Sequence, residues 1–215
     1  HNFPRAEIEA AGYHVAFSGQ KTYNGVALLA REPITDVVCG NPHFPDEQKR
    51  LISGTVGDTR VICAYMPNGQ EVGCDKYDYK LRWLDALAVW LGEEMARHPK
   101  LALCGDYNIA PDDRDVHDPK RWADGILVSP PERAAFQRFI GLGLSDSFRL
   151  FEQPEKTFSW WDYRMLGFQK NQGLRIDHIL LSKPLAESCT AAGVDRAPRK
   201  LERPSDHAPV WAEIG

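Results

Sequence analysis

The sequence predicts a single α/β or α+β domain, and three observations carry that expectation. Short apolar runs bounded by turn residues alternate with two amphipathic helical stripes. No long polar linker, internal repeat or low-complexity stretch divides the 215 residues. Hydrophobic residues make up 43% and charged residues 26%. That balance excludes a disordered tail, a collagen-like rod and a coiled coil. A single domain of this length buries about 70% of its unfolded surface, so it needs neither disulfides nor a metal merely to fold.

In chain order, Tyr13–Phe17 and Gly25–Ala30 read as strands, followed by Arg60–Met66. In 77–95, Tyr77, Leu81, Leu84, Ala88, Leu91 and Met95 recur at spacings of four and three, which is one helical face. Trp83, Leu87 and Trp90 widen that face. Leu101–Cys104 reads as a strand that is apolar on both faces. Ser129-Pro130-Pro131-Glu132 is a capping box with proline at the first helical position. Phe136, Phe139 and Ile140 give that helix its apolar face, and Gly141 and Gly143 end it. Ile176–Leu181 and Pro209–Ile214 are the last strands expected. Between these elements lie two long irregular segments, Pro111–Ser129 and the aromatic-rich Pro154–Gln172. Loops of this length on a rigid scaffold are where function concentrates.

No run of 18 apolar residues exists, so no transmembrane helix is expected. His1-Asn2-Phe3-Pro4-Arg5 lacks the apolar centre of a signal peptide. The five cysteines, Cys39, Cys63, Cys74, Cys104 and Cys189, include no C-x-x-C pair. Cys63 and Cys104 lie in apolar runs and read as buried thiols, as in a reducing cytoplasm. The formal net charge is −4, so the whole molecule is not a basic nucleic-acid glue. The charge is uneven: residues 106–118 carry net −4, and residues 156–203 carry net +4. A cationic surface beside an acidic site suits a metal-dependent enzyme acting on a polyanion, although a solvated surface would also give such a pattern.

Four stretches carry groups with chemistry, each near a strand end. Gly105-Asp106-Tyr107-Asn108 places a carboxylate and a carboxamide two residues apart, able to take a proton or bind a cation and to orient a water; an Asx turn is the plain alternative. Ser205-Asp206-His207 offers a hard-cation ligand beside a phosphate donor, or simply a polar turn. In Arg175-Ile176-Asp177-His178, Asp177 stands inside an apolar run, where an unpaired carboxylate is costly. His207 is the better partner for it, because the side chain of adjacent His178 points to the other face of a strand. A structural pairing with Arg or Lys stays open. Ala64 to Gly69 ends in an Asn68-Gly69 turn signal, with Tyr65 and Asn68 as donors suited to a phosphate.

Together these stretches resemble the exonuclease III-type AP endonucleases of the endonuclease/exonuclease/phosphatase superfamily. The resemblance spans essentially the whole chain. It rests on Gly19-Gln20-Lys21 with Asn24 to Leu29, Tyr65 to Gly69, Gly105 to Ile109, Pro131-Glu132-Arg133, Ser159 to Arg164, Gly173 to Asp177 and Pro204 to Val210. The resemblance implies a four-layer α/β sandwich of the DNase I type, with two packed β-sheets flanked by helices. It implies Mg²⁺-dependent hydrolysis of double-stranded DNA, with Mn²⁺ as a substitute: incision 5′ to abasic sites, and 3′-to-5′ exonuclease or 3′-end cleaning, by a monomer in the bacterial cytoplasm. It assigns Asp106 to activating the attacking water and Asn108 to orienting it. His207 contacts the scissile phosphate with Asp177 as its orienting partner, and Tyr65 and Asn68 contact the phosphate. The metal site falls to Asp206, Asp106 and Asn108. Trp160, Leu174 and Ile176 match a small apolar pocket that accepts a flipped-out abasic sugar. Lys21, Tyr23, Asn24 and the Arg114–Trp122 loop match DNA-backbone contacts.

The chain departs from the family pattern at its N-terminus. The Trp/Phe-Asn strand and the strand ending in a metal-ligating Gln-Glu are not in the sequence, and His1–Pro4 aligns just after that Glu. The expectation is therefore a chain short of N-terminal strands. Two other readings follow from this: a catalytically impaired DNA-binding fragment, and a phosphatase or sphingomyelinase-like relative.

Overall fold

Leu101–Asp106 (β6) forms the centre of a six-stranded mixed sheet, and the rest of the fold is arranged on its two faces. The computed structural model describes residues 3–215; His1 and Asn2, and with them part of the His1–Pro4 alignment, lie outside the described residues. Before β6 come helix α1 (Arg5–Ala10) and strands β1 (His14–Gly19), β2 (Gly25–Ala30), β3 (Ile34–Cys39), β4 (Leu51–Val56) and β5 (Thr59–Tyr65), then helix α2 (Asp75–Arg97). After it come α3 (Pro119–Trp122), α4 (Pro130–Gly141), β7 (Ser145–Asp146), β8 (Trp160–Trp161), β9 (Gly173–Leu174) and β10 (Asp177–Leu181). The chain closes with α5 (Lys183–Ser188), β11 (Cys189–Val194) and β12 (Val210–Ile214).

The sheet order is β3-β4-β5-β6-β10-β7. Strand alternation divides its side chains cleanly. Leu51, Ile62, Ala64, Leu103 and Leu180 face α2 and α4 and form the main core with Trp83, Leu84, Leu87, Trp90, Phe136 and Phe139. Ile52, Val61, Cys63 and Tyr65 face the other way, against Val26 and Leu28 of β2. The second layer is two separate hairpin ribbons among the described residues. β1–β2 covers β4 and β5, and β11–β12 lies against β10. α1 packs on β1. The α/β sandwich is therefore as expected, and its second sheet consists of two ribbons.

All six expected strands are present, with ends moved by one or two residues: Tyr13–Phe17 is β1, Arg60–Met66 is β5, Leu101–Cys104 extends to Asp106, Ile176–Leu181 begins at Asp177, and Pro209–Ile214 begins at Val210. Three longer strands have no clear signal. β3 is an exposed edge with a bulge between Thr35 and Val38, so it shows no buried period. β4 carries Ser53 and Gly54 in its middle: Ser53 accepts from Arg60, and a Cβ on Gly54 would sit 2.6 Å from Ile34. β11 is Ala- and Thr-rich. On α2 the buried face centres on Tyr77, Lys80, Leu84, Leu87, Leu91 and Glu94, while Leu81, Ala88 and Met95 flank it. The capping box at Ser129 forms as expected.

Under the sheet, Arg175 is fully buried. It donates to Asp115 (2.7 Å), Asp146 (2.8 Å) and His178 Nδ1 (3.0 Å). The other ring nitrogen of His178 donates to the Ile109 carbonyl at 2.8 Å. Burial first, then the adjacent guanidinium, lowers the His178 pKa to about 4, so the ring is neutral. The unfolded chain protonates this histidine near pH 6.5 and the folded one only near 4, so its contribution is complete above 6.5 and is lost as pH falls toward 4. His178→Gln keeps both bonds without titrating. It should flatten the acid limb of stability between pH 6.5 and 4 by up to about 1.4 kcal/mol per pH unit, measured by urea titration at a series of pH values.

Gly105 is the second fixed point. Its φ is +140°, and a Cβ there would lie 2.0 Å from the Ala64 carbonyl oxygen on the neighbouring strand. Gly105→Ala is expected to cost about 3 kcal/mol or more in thermal or urea unfolding.

Candidate active site

Three strands bring three of the expected residues abreast. Tyr65 at the end of β5 pairs in register with Asp106 at the end of β6, and Asp106 pairs with Asp177 at the start of β10. All three side chains project from the ribbon face of the sheet. The carboxylates open into a cavity of about 370 Å³ that His207 and Ser205 also line. β8 and its neighbours complete the site. Ser159 Oγ accepts from the backbone N–H of Ile176 and of Asp177, each at 3.0 Å, and the Ser159 carbonyl accepts from Ala208 N at 2.7 Å. Trp160 bridges to His207. One buried serine thus fixes the Asp177 and His207 segments together.

His207 Nδ1–H donates to Asp177 (2.8 and 3.1 Å), so His207 and not His178 is the partner of Asp177. His207 Nε2 faces Asp106 Oδ2 at 3.9 Å. Burial alone would lower the pKa of His207. The Asp177 hydrogen bond and the charges of Asp177, Asp106 and Asp206 outweigh it and raise the value to about 9, leaving an imidazolium at neutral pH. The Asp106 side chain is 16% exposed. Burial, then repulsion from Asp177, raises its pKa to about 7 against the opposing pull of His207. Two donors still hold its carboxylate: the Asn108 backbone N–H at 2.8 Å and the Asn108 side-chain amide at 3.0 Å. That amide also donates to the Met66 carbonyl at 3.0 Å. Asn108 Oδ1 accepts from Asn68 Nδ2 at 3.0 Å, which joins the β5 and β6 loops. Asn108 sits at φ +49°, a left-handed conformation that asparagine tolerates.

Asp106, Asp177 and His207 form a group whose ligand atoms all lie within 4.8 Å. Asp206 lies outside that group, and one of its oxygens accepts from Trp160 Nε1 at 2.9 Å. Asn108 turns its Nδ2 to Asp106 and its Oδ1 to Asn68, so the hard oxygens of this group are those of the Asp106 and Asp177 carboxylates. Burial first, and then repulsion from Asp177, raises the Asp106 pKa, and a hard divalent cation would offset the repulsion. The two carboxylates therefore suit a hard divalent cation, and the protonated His207 is not one of its donors.

The remaining expected residues divide. Trp160, Leu174 and Ile176 come together, but Leu174 and Ile176 are fully covered by Val116, Leu127 and Val128, and only Trp160 keeps an open surface. Beside Trp160 an 870 Å³ cleft is rimmed by Arg121, Arg164 and Lys170. Lys21, Tyr23 and Asn24 form the β1–β2 turn, with Tyr23 exposed. Asn24 donates to Gln48 at 3.2 Å, Gln48 accepts from Arg50 at 2.7 Å, and the Arg50 guanidinium lies over the Tyr65 ring. That turn is thereby tied to the site. The acidic stretch is not one site: Asp112, Asp113 and Asp115 pair with Arg114, Arg133 and Arg175, and Asp118 caps α3, so Asp106 alone reaches the cavity.

Sequence reasoning gave no role to Ser159, Gln48, Arg50 or Lys80, and read Glu132 only as part of a helix cap. The available signal was a lysine on the apolar stripe of α2 and a glutamate inside a capping box.

Residues 2–207 match the endonuclease/exonuclease/phosphatase family. The chain is 41% identical to exodeoxyribonuclease III of Haemophilus influenzae, over 99% of this chain and 84% of that protein. The 3′ phosphatase NExo from Neisseria, solved bound to product DNA hairpin, superposes with a TM-score of 0.98 at 46% identity, covering 100% of this chain and 84% of the other. An AP endonuclease from Archaeoglobus fulgidus gives 0.94 at 37% identity, covering 99% and 83%.

Asp177→Asn should lower the His207 pKa from about 9 toward 6.5, read from the imidazole resonance in an NMR pH titration. A ring still titrating near 9 would show that Asp177 does not hold the proton.

Proposed function

The chain belongs to the endonuclease/exonuclease/phosphatase family, and from that premise we infer that it is a metal-dependent DNA repair nuclease that cleaves phosphodiesters at abasic sites and at 3′ ends. The single observation that carries this reading is the Asp106–Asp177–His207 group, a buried base beside an imidazolium fixed by its own carboxylate. Phosphoryl transfer needs positioning and charge neutralisation more than covalent help.

Asp106 accepts the proton of the attacking water. The Asp106 carboxylate lies beside Asp177 and His207 and is held by two Asn108 donors, which aim it for that proton transfer. The Asn108 amide holds that carboxylate and orients the water. His207 presents Nε2–H to an oxygen of the scissile phosphate, and its bond to Asp177 keeps both the ring direction and the proton. Tyr65 and Asn68 border the phosphate from the β5 side. Asp106 and Asp177 would hold Mg²⁺, with Mn²⁺ as an alternative. The ion supplies charge neutralisation at the phosphate and acidifies water. Trp160 offers a flat apolar surface to a sugar that carries no base, and Arg121, Arg164 and Lys170 face the duplex backbone. Every group in this scheme comes from one chain, which supports a monomeric working unit. No helix among the described residues is long and apolar enough to cross a membrane, which is compatible with a cytoplasmic enzyme.

Duplexes carrying an abasic site or a 3′-phosphate, incubated with and without Mg²⁺, test the reading. Metal-dependent incision or phosphate release is expected, with turnover falling above about pH 9 as His207 loses its proton. Asp106→Asn should reduce turnover by about a thousandfold. A well-folded chain inert on both duplexes yet active on small phosphoesters would overturn it.

A further inference from the structure

The ammonium of Lys80 is completely buried, and it has three donors for three acceptors. One is the Glu132 carboxylate; the others are the backbone carbonyls of Asn108 (2.7 Å) and Asn68 (3.1 Å). Glu132 is fixed in turn. It accepts from Leu127 N (3.1 Å), Ser129 N (3.1 Å) and Ser129 Oγ (2.6 Å) in the first turn of α4. Ser129 Oγ also meets the Tyr77 hydroxyl at 2.7 Å, one turn before Lys80 on α2. Both helices therefore converge on one cation, and the cation is spent on the backbones of two site residues.

Stability is a poor explanation for this arrangement. Replacing a buried ion pair with apolar side chains is often neutral or stabilising, because desolvation offsets the attraction. What the pair does provide is a fixed backbone beneath the two asparagines. Their side chains bond to each other, and Asn108 makes two bonds to Asp106. Asn108 holds a left-handed conformation that its surroundings must maintain. Without the ammonium, the Asn108 carbonyl loses its partner and the peptide is free to turn, taking the amide away from Asp106.

We propose that Lys80, held by Glu132, is a positioning residue for the nuclease reaction: it clamps the Asn68 and Asn108 backbones so that the Asn108 amide and N–H keep the Asp106 carboxylate aimed at the water. This rests on the nuclease reading above. Lys80 touches no substrate, so its effect should fall on kcat and leave KM nearly unchanged.

Two variants test it. The neutral pair Lys80→Met/Glu132→Gln removes the cation without stranding a charge. Lys80→Arg keeps the charge on a planar fork that addresses the three acceptors less well. Each is followed by thermal melting, by kcat and KM on the duplex that the parent cleaves best, and by hydrogen exchange at Asn108 N–H relative to Leu103 N–H. The neutral pair should melt cooperatively and lose about thirtyfold or more in kcat with KM within about threefold, the size of effect expected from a small misplacement. Its Asn108 N–H should exchange about tenfold faster relative to Leu103, as expected for local opening without global unfolding. Lys80→Arg should recover part of both losses. Parental kcat and parental Asn108 exchange in either folded variant would overturn the proposal. If the neutral pair does not fold, Lys80→Arg decides by the same two readouts. If the parent cleaves no phosphodiester, the nuclease reading fails, and the exchange ratio alone decides whether Lys80 fixes the Asn108 loop.

Discussion

Two carboxylates set directly opposite each other on neighbouring antiparallel strands are the constraint on which the rest of this structure depends. Asp106 and Asp177 are register partners, and like charges so placed repel. Repulsion is tolerated because the fold surrounds the pair with compensating groups. His207 is held protonated by Asp177 and lies across from Asp106. Asn108 donates twice to Asp106. Burial, and after it the repulsion that stays uncompensated, raises the pKa of Asp106. A carboxylate short of full compensation favours uptake of a cation or a proton.

That register is secured by features with no chemistry of their own. Gly105 lets β6 approach the Ala64 carbonyl so closely that no side chain fits, and the approach sets Asp106 level with Tyr65. On β10, alternation sends Asp177 to the cleft and His178 to the helices, where it stacks edge-on against Tyr107 and Phe136. His178 then closes the Arg175–Asp115–Asp146 network beneath the site. Adjacent residues thus serve opposite ends: one polar group is exposed to reaction, and the next is buried, neutral and fully paired.

Much of this was legible from the residues. A carboxylate in an apolar run needed a partner, and strand geometry pointed to His207 over His178. The capping box at Ser129 named the start of α4. What stayed hidden was tertiary. β3 and β4 were obscure because one is an exposed bulged edge and the other carries Ser53 and Gly54, whose reasons for being there are Arg60 and Ile34, residues distant in sequence or on another strand. Ser159 could not be assigned a role from its neighbours, since the two N–H groups it receives lie 17 and 18 residues later. The Lys80–Glu132 pair was masked by the periodicity itself: a lysine on an apolar stripe reads as an interruption, and only the fold shows that the stripe points at two backbone carbonyls.

The charge pattern changes meaning for the same reason. An acidic molecule of net −4 meets a polyanion at a disadvantage unless its negative charges are occupied. In residues 106–118 they are. Three aspartates are paired with arginines and one caps a helix, so the segment that looked like a metal-binding cluster presents a largely neutral surface. At the active-site cavity, Asp177 is bonded to His207 and Asp106 faces it. The rim of the neighbouring cleft is cationic through Arg121, Arg164 and Lys170, of which Arg164 is already shared with Asp162. Attraction for a phosphate backbone is thereby moderate and local. A nuclease that must find one lesion among many ordinary phosphates gains from that restraint, because each additional free cation would strengthen binding to every site alike.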